Sequence, residues 1–226
     1  MNPSPEARPE QSVSIPADQA LLPGSLALPP GAKGLVLFVH GSGSSRFSPR
    51  NRFVAEALNR AGLGTLLFDL LSRTEDQEYG TRFDIDLLTR RLLAATEWIG
   101  ARPDAADLRL CYFGASTGAA AALRAAAARP GTVRAIVSRG GRPDLAMECL
   151  DTVRAPTLLI VGGEDKAVVE LNQRAHARLP CVKALAIVPR ATHLFEEPGA
   201  LERVAELAAA WFLRHIEGGP RPRDRL

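Results

Sequence analysis

Short continuous apolar runs, each followed by a segment of helical periodicity, recur along this chain and limit its fold more than any other feature. Leu35 to Val39 is such a run, as expected for a strand buried on both faces. Leu63 to Phe68, Leu108 to Phe113, Val133 to Ser138, Thr157 to Val161 and Ala184 to Val188 repeat the pattern. The first helix is announced by Ser48 as N-cap and Pro49 at its first position, and is expected to end near Gly62. A second covers Asp84 to Ile99, with Ile85, Leu88, Leu92, Ala95 and Ile99 on one face. An Ala-rich helix covers Thr117 to Ala128, and another is expected around Val168 to Arg178. The last starts at Pro198 and carries Leu201, Val204, Leu207, Ala208 and Trp211 inward.

Strands alternating with helices predict an α/β fold with a mostly parallel central sheet and helices on both faces. Crossovers in such a sheet are right-handed, and ligands bind beyond the carboxyl ends of its strands. Residues 19–28 read as an antiparallel edge strand interrupted at Pro23-Gly24. The expected division is a flexible N-terminal arm at 1–18, one domain at 19–217 and a basic tail at 218–226. A length of 226 residues, 46% of them hydrophobic, suits one domain with a substantial core and excludes a disordered chain.

Charge says less. The 28 basic and 25 acidic residues leave a net charge of +3. All but Lys33, Lys166 and Lys183 of the basic residues are arginines, a compositional bias rather than a nucleic-acid footprint. Cys111, Cys149 and Cys181 fit neither a disulfide framework nor a metal site. The first ten residues lack the basic and apolar regions of a signal peptide, and no apolar run spans a bilayer. A cytoplasmic protein is expected, with no nucleic-acid or membrane partner, as a monomer or homodimer.

Chemistry is therefore sought in the loops after the strands. Gly114-Ala115-Ser116-Thr117-Gly118 lies between a strand and a helix, the setting a nucleophile elbow requires. A serine hydroxyl needs a base. His193, in Ala191-Thr192-His193-Leu194-Phe195, follows the last strand and so lies at the same edge. His40 precedes the elbow, and His176 and His215 fall on helices. Asp165, in Gly162-Gly163-Glu164-Asp165, is expected to orient the histidine, with Glu164 as the fallback. The order Ser116, Asp165, His193 is that of the α/β-hydrolases. The Thr117 amide and the Ser42 amide, in His40-Gly41-Ser42-Gly43, are the expected oxyanion donors. That Gly/Ser loop lacks the phosphate-binding pattern Gly-x-x-x-x-Gly-Lys.

These segments, with Thr192-His193-Leu194-Phe195-Glu196, resemble the dienelactone-hydrolase-like branch of the α/β-hydrolases from about residue 20 to 215. The resemblance implies an α/β-hydrolase fold and a hydrolytic activity. Dienelactone hydrolases proper use a cysteine nucleophile, and Ser116 stands at that position here. A serine esterase acting on a small ester, lactone or thioester is the expected function, with no cofactor and no metal. Some members are fused to phosphoribosyltransferase domains, for which this chain is expected to leave no room. An acyltransferase with the same triad and a non-catalytic binding module are the alternatives.

Two loops at this edge are rich in arginine. Arg46, Arg50 and Arg52 follow the early strand, and Arg139-Gly140-Gly141-Arg142 follows the strand 133–138. Arg139, Arg142 and Arg46 are the candidates to receive an anionic group of the substrate. No insertion is large enough for a cap domain, so an open pocket and small substrates are expected.

Overall fold

A computed structural model describes residues 10–216. The expected arm before residue 10 and the tail 218–226 lie outside the described residues. Eight strands form one sheet: β1 (Gln11–Ala17), β2 (Ala20–Ala27), β3 (Gly34–Val39), β4 (Gly64–Phe68), β5 (Arg109–Ala115), β6 (Ile136–Arg139), β7 (Thr157–Gly162) and β8 (Lys183–Val188). Their spatial order is β1-β2-β4-β3-β5-β6-β7-β8. Strands β3 to β8 are parallel, and β1 and β2 are antiparallel to their neighbours. Five helices complete the domain: α1 (Pro49–Arg60), α2 (Ile85–Gly100), α3 (Thr117–Ala128), α4 (Lys166–Arg178) and α5 (Ala200–Ile216).

Every residue of β3, β4 and β7 is buried, which is why these strands read as continuous apolar runs. The core is split by the sheet. One half gathers Leu37, Leu66, Tyr112 and Leu159 with α2 and α3. The other gathers Val36, Phe38, Phe113 and Ile160 with α1 and α5. The alanines of α3 are buried almost throughout, so this helix lies close against the sheet and against α2. Ser48 caps α1, its Oγ accepting the Asn51 amide at 3.4 Å, and Asp84 caps α2 by accepting the Leu87 amide at 2.9 Å.

The N-terminal segment corrects two expectations. Residues 11–17, placed in a flexible arm, form β1, and β2 is not the edge strand. Ile15 and Ala17 face the core at period two, and the whole of β1 pairs with β2 from Gln11↔Leu26 to Ala17↔Ala20. Asp18 turns the hairpin in the left-handed region at φ 49°. Nor do Pro23 and Gly24 interrupt β2. Pro23 stands just before the residues that pair with β4, and its carbonyl accepts the Asp69 amide at 3.0 Å.

The stretch after β6 is mostly 3₁₀-helical over Pro143–Thr152 and buries Ala146 and Leu150 against α3. No separate cap domain is evident among the described residues. Nor is any helix there long and apolar enough to cross a membrane.

Candidate active site

The carboxyl ends of β3, β5, β6, β7 and β8 point the same way, so the loops that follow them share one rim. At its centre Ser116 joins β5 to α3 with φ 50° and ψ −122°. Such a backbone is rare for a residue with a Cβ and costs on the order of 1–3 kcal/mol. The turn is held by backbone on both sides. The Ser116 amide donates to the Arg139 carbonyl at 3.2 Å, and its carbonyl accepts the Arg142 amide at 3.1 Å. Two glycines make room for it. A Cβ on Gly118 would overlap the Val39 carbonyl oxygen, so the start of α3 rests on the end of β3 backbone to backbone. A Cβ on Gly41 would lie 2.9 Å from Cβ of Ser116, which places the loop after β3 directly beside the serine.

That loop is tied down at three points. His40 is buried; its Nε2 accepts the Leu70 amide at 3.0 Å, and its Nδ1 lies 2.9 Å from the Gly41 carbonyl. These partners fit a neutral ring protonated on Nδ1, and burial holds its pKa below the ordinary 6.5. Asp69 accepts the Arg46 amide at 2.7 Å and also pairs with the Arg46 guanidinium. The third tie reaches the elbow itself: the Ser42 amide donates to Oγ1 of the buried Thr117 at 2.9 Å. The expected oxyanion donors therefore differ. Thr117 opens α3, so its N–H has no acceptor within the helix. The Ser42 N–H is already engaged and could reach an oxyanion only by sharing.

At the far side of the rim, His193 Nδ1 meets Asp165 Oδ2 at 2.6 Å, with side-chain exposures of 42% and 17%. This contact leaves Nε2 as the ring's second nitrogen. Glu164 is exposed and lies 3.9 Å from Lys166, so the structure brings Asp165 rather than Glu164 to the histidine. The loop carrying His193 is anchored by Phe195, whose side chain is buried although its backbone is left-handed at φ 58°. One segment touches both halves of the rim. Arg139 holds the Ser116 amide, and a Cβ on the next residue, Gly140, would lie 3.4 Å from Cε1 of His193. Asn172, fully buried on α4, secures this segment by donating to the Gly141 carbonyl at 3.0 Å.

The three arginines expected to meet an anion part company. Arg46 is committed to Asp69. Arg142 forms a two-pronged pair with Asp144, at 2.8 and 2.7 Å. Arg139 is buried and has no such partner among the described residues; its Nη2 donates to Asn51 at 3.3 Å.

Asn172, Asn51 and the Thr117 hydroxyl are the contributors that sequence reasoning misses. Asn172 had a signal, since it sits between Val168 and Ala175 on the inward face of α4. Among the described residues no cluster of His, Cys, Asp and Glu is placed to hold a metal ion. Burial pushes the Cys111 thiol up to about 12, which leaves it protonated within the core.

No family model matches the chain. It is 56% identical over 212 residues to a Mycobacterium tuberculosis protein that carries the provisional name phosphoribosyl transferase. That match takes in 93% of this chain and 48% of the relative, so the chain spans about half the length of the curated relatives it matches. The crystal structure of a dienelactone hydrolase from Anabaena variabilis is 56% identical, covers 92% of this chain and 98% of its own, and superposes with a TM-score of 0.90. Est1E from Butyrivibrio proteoclasticus shares the fold at a TM-score of 0.77 and 18% identity, covering 92% of this chain and 99% of its own. With its sheet order, its strained serine turn and a relative matched over nearly its full length, the chain belongs to the dienelactone-hydrolase-like family of α/β-hydrolases.

Proposed function

We propose that this protein is a serine hydrolase that cleaves a carboxylic ester, lactone or thioester of a small molecule. One observation carries the reading: the Asp165–His193 contact at 2.6 Å lies on the rim that presents Ser116 on a strained turn. Asp165 accepts the hydrogen bond of the Nδ1–H and so fixes the tautomer that exposes an Nε2 lone pair. That lone pair takes the proton of Ser116 Oγ as the oxygen attacks the substrate carbonyl. Negative charge then develops on the carbonyl oxygen, facing the free N–H at the start of α3. His193 returns its proton to the leaving oxygen or sulfur, and an acyl group remains on Ser116. A water molecule, deprotonated by His193, attacks this acyl-enzyme. The acid departs and the serine recovers its proton.

The serine in place of the cysteine of dienelactone hydrolases proper favours simple ester chemistry. The transferase name of the mycobacterial relative supports a different reading. We assign that name to the part of the relative this chain does not match, because the match takes in only 48% of the relative. A fluorophosphonate probe tests the proposal. The wild type is expected to take the label and to hydrolyse p-nitrophenyl acetate. Ser116→Ala is expected to lose both, with activity down by about 10⁶-fold. Labelling that survives in Ser116→Ala would defeat the assignment.

A further inference from the structure

Positive charge gathers, only partly compensated, where β6 meets the first turn of α1. Arg139, at the end of β6, is only 8% exposed, and its guanidinium reaches Asn51 in that turn. Arg50, one residue earlier, lies close enough to depress it: burial first, and Arg50 second, pull the Arg139 pKa down to about 10. The helix end adds to the imbalance. The first turn of α1 reads Pro49-Arg50-Asn51-Arg52 and contains no acidic residue. Cations are disfavoured there, because the aligned peptide dipoles of the helix already present positive potential at its start. Arg52 is answered by Glu10 at 3.6 Å, and Arg50 by Glu196 at 2.8 Å, through a carboxylate that is mostly exposed. No carboxylate among the described residues pairs with Arg139.

Hydrogen-bond capacity is unspent as well as charge. Nε of Arg139 and Nε of Arg50 are both buried and meet no acceptor among the described residues. A buried donor left unmet is costly, and a buried guanidinium more so. Two such donors on neighbouring like charges, beside a helix N-terminus, match what an oxyanion supplies: negative charge and several lone pairs. Phe195 lines the same place, with its ring centre 5.9 Å from Cζ of Arg139.

We propose that Arg139 and Arg50, with the first turn of α1, form a binding site for a carboxylate or phosphate group. The site adjoins the candidate active site, since the Arg139 carbonyl holds the Ser116 amide and Glu196 lies three residues beyond His193. It stands on its own geometry and does not depend on the hydrolase reading.

Thermal unfolding of the full chain tests it without any use of catalysis. Melting is compared in sodium phosphate, sodium acetate and sodium chloride at matched ionic strength and pH, for the wild type and for Arg139→Met. General salt effects act on both proteins alike, so the readout is the difference between them. In the wild type, phosphate or acetate at ten times its dissociation constant is expected to add about 3–6 °C beyond the rise in Arg139→Met. A response to phosphate alone identifies a phosphate group as the ligand, and one to acetate alone a carboxylate. Arg139→Met is expected to fold, because an apolar side chain of similar length replaces an unmatched buried charge. Arg50→Gln, at the more exposed position, is read by the same criterion. Equal responses in the wild type and in the variants to both anions would overturn the proposal.

Discussion

The two sides of the proposed catalytic rim are built by different means. On the nucleophile side the parts are main chain. The start of α3 rests on the end of β3 where Gly118 leaves no space, Gly41 abuts Ser116, and the serine amide and carbonyl are both hydrogen-bonded to the β6 loop. On the acid–base side the strands are also close, since a Cβ on Gly162 would overlap the Ala191 and Thr192 carbonyls. Yet the groups assigned to proton transfer hold each other through one side-chain contact, and His193 is 42% exposed. The difference teaches where precision is needed. An oxyanion hole tolerates little movement, because its donors must meet a charge that exists only in the transition state. A histidine that shuttles protons to two different oxygens gains from an accessible ring.

If this contrast holds, damage to the acid–base side should appear in rate with stability kept, and damage to the main-chain packing of the nucleophile side in stability. Asp165→Asn is the largest test. It is expected to cost about 10⁴-fold in kcat, because the amide favours the wrong histidine tautomer. The denaturation midpoint should barely move, since Asp165 makes no side-chain cap on α4. A large loss of stability would instead make the pair a structural strut. Gly118→Ala attacks the other side. Its methyl group meets main chain that cannot rotate away, so a loss of about 1–3 kcal/mol or more is expected in urea unfolding.

Thr117→Val sharpens the comparison, because it keeps the shape and removes the acceptor of the Ser42 amide. The expected result is a fall of about tenfold to a hundredfold in kcat with KM unchanged, restored by Thr117→Ser. An unchanged kcat would mean that the loop after β3 needs no tie to the elbow.

The smallest effect is one of pH. His40 is held neutral on the nucleophile side, with its pKa below 6.5. Below that value the unfolded chain binds a proton that the folded chain does not. Stability from this group is therefore complete above about pH 6.5 and falls as the pH drops, by at most about 1.4 kcal/mol per pH unit. Urea midpoints at pH 7.5 and 5.5 should show the decline, and His40→Gln should flatten it.

Much of this molecule is legible in its sequence. The strands β3, β4, β6 and β7 announce themselves because burial on both faces leaves no polar alternation, and Ser116 because its turn demands small neighbours around it. Strand β1 is less legible. Its alternation is short, Pro16 weakens it, and what recruits it is the open edge of β2, a partner formed elsewhere in the chain. The choice of Asp165 over Glu164 is of the same kind, for two adjacent carboxylates differ only in which one the loop turns toward the histidine.

The arginines mark the boundary most clearly. By sequence Arg46, Arg139 and Arg142 are equivalent cations on neighbouring loops. Asp69 and Asp144 claim two of them, while Arg139 is drawn inward to the end of α1. Local sequence determined the strands and the elbow, because each depends on spacing within a few residues, and the order of Ser116, Asp165 and His193 is read directly along the chain. Tertiary structure alone decided that Arg46 meets Asp69 and that Arg139 meets Asn51 rather than a carboxylate, because these contacts join segments that only the closed sheet brings together, whereas Arg142 and Asp144 are two residues apart in one loop.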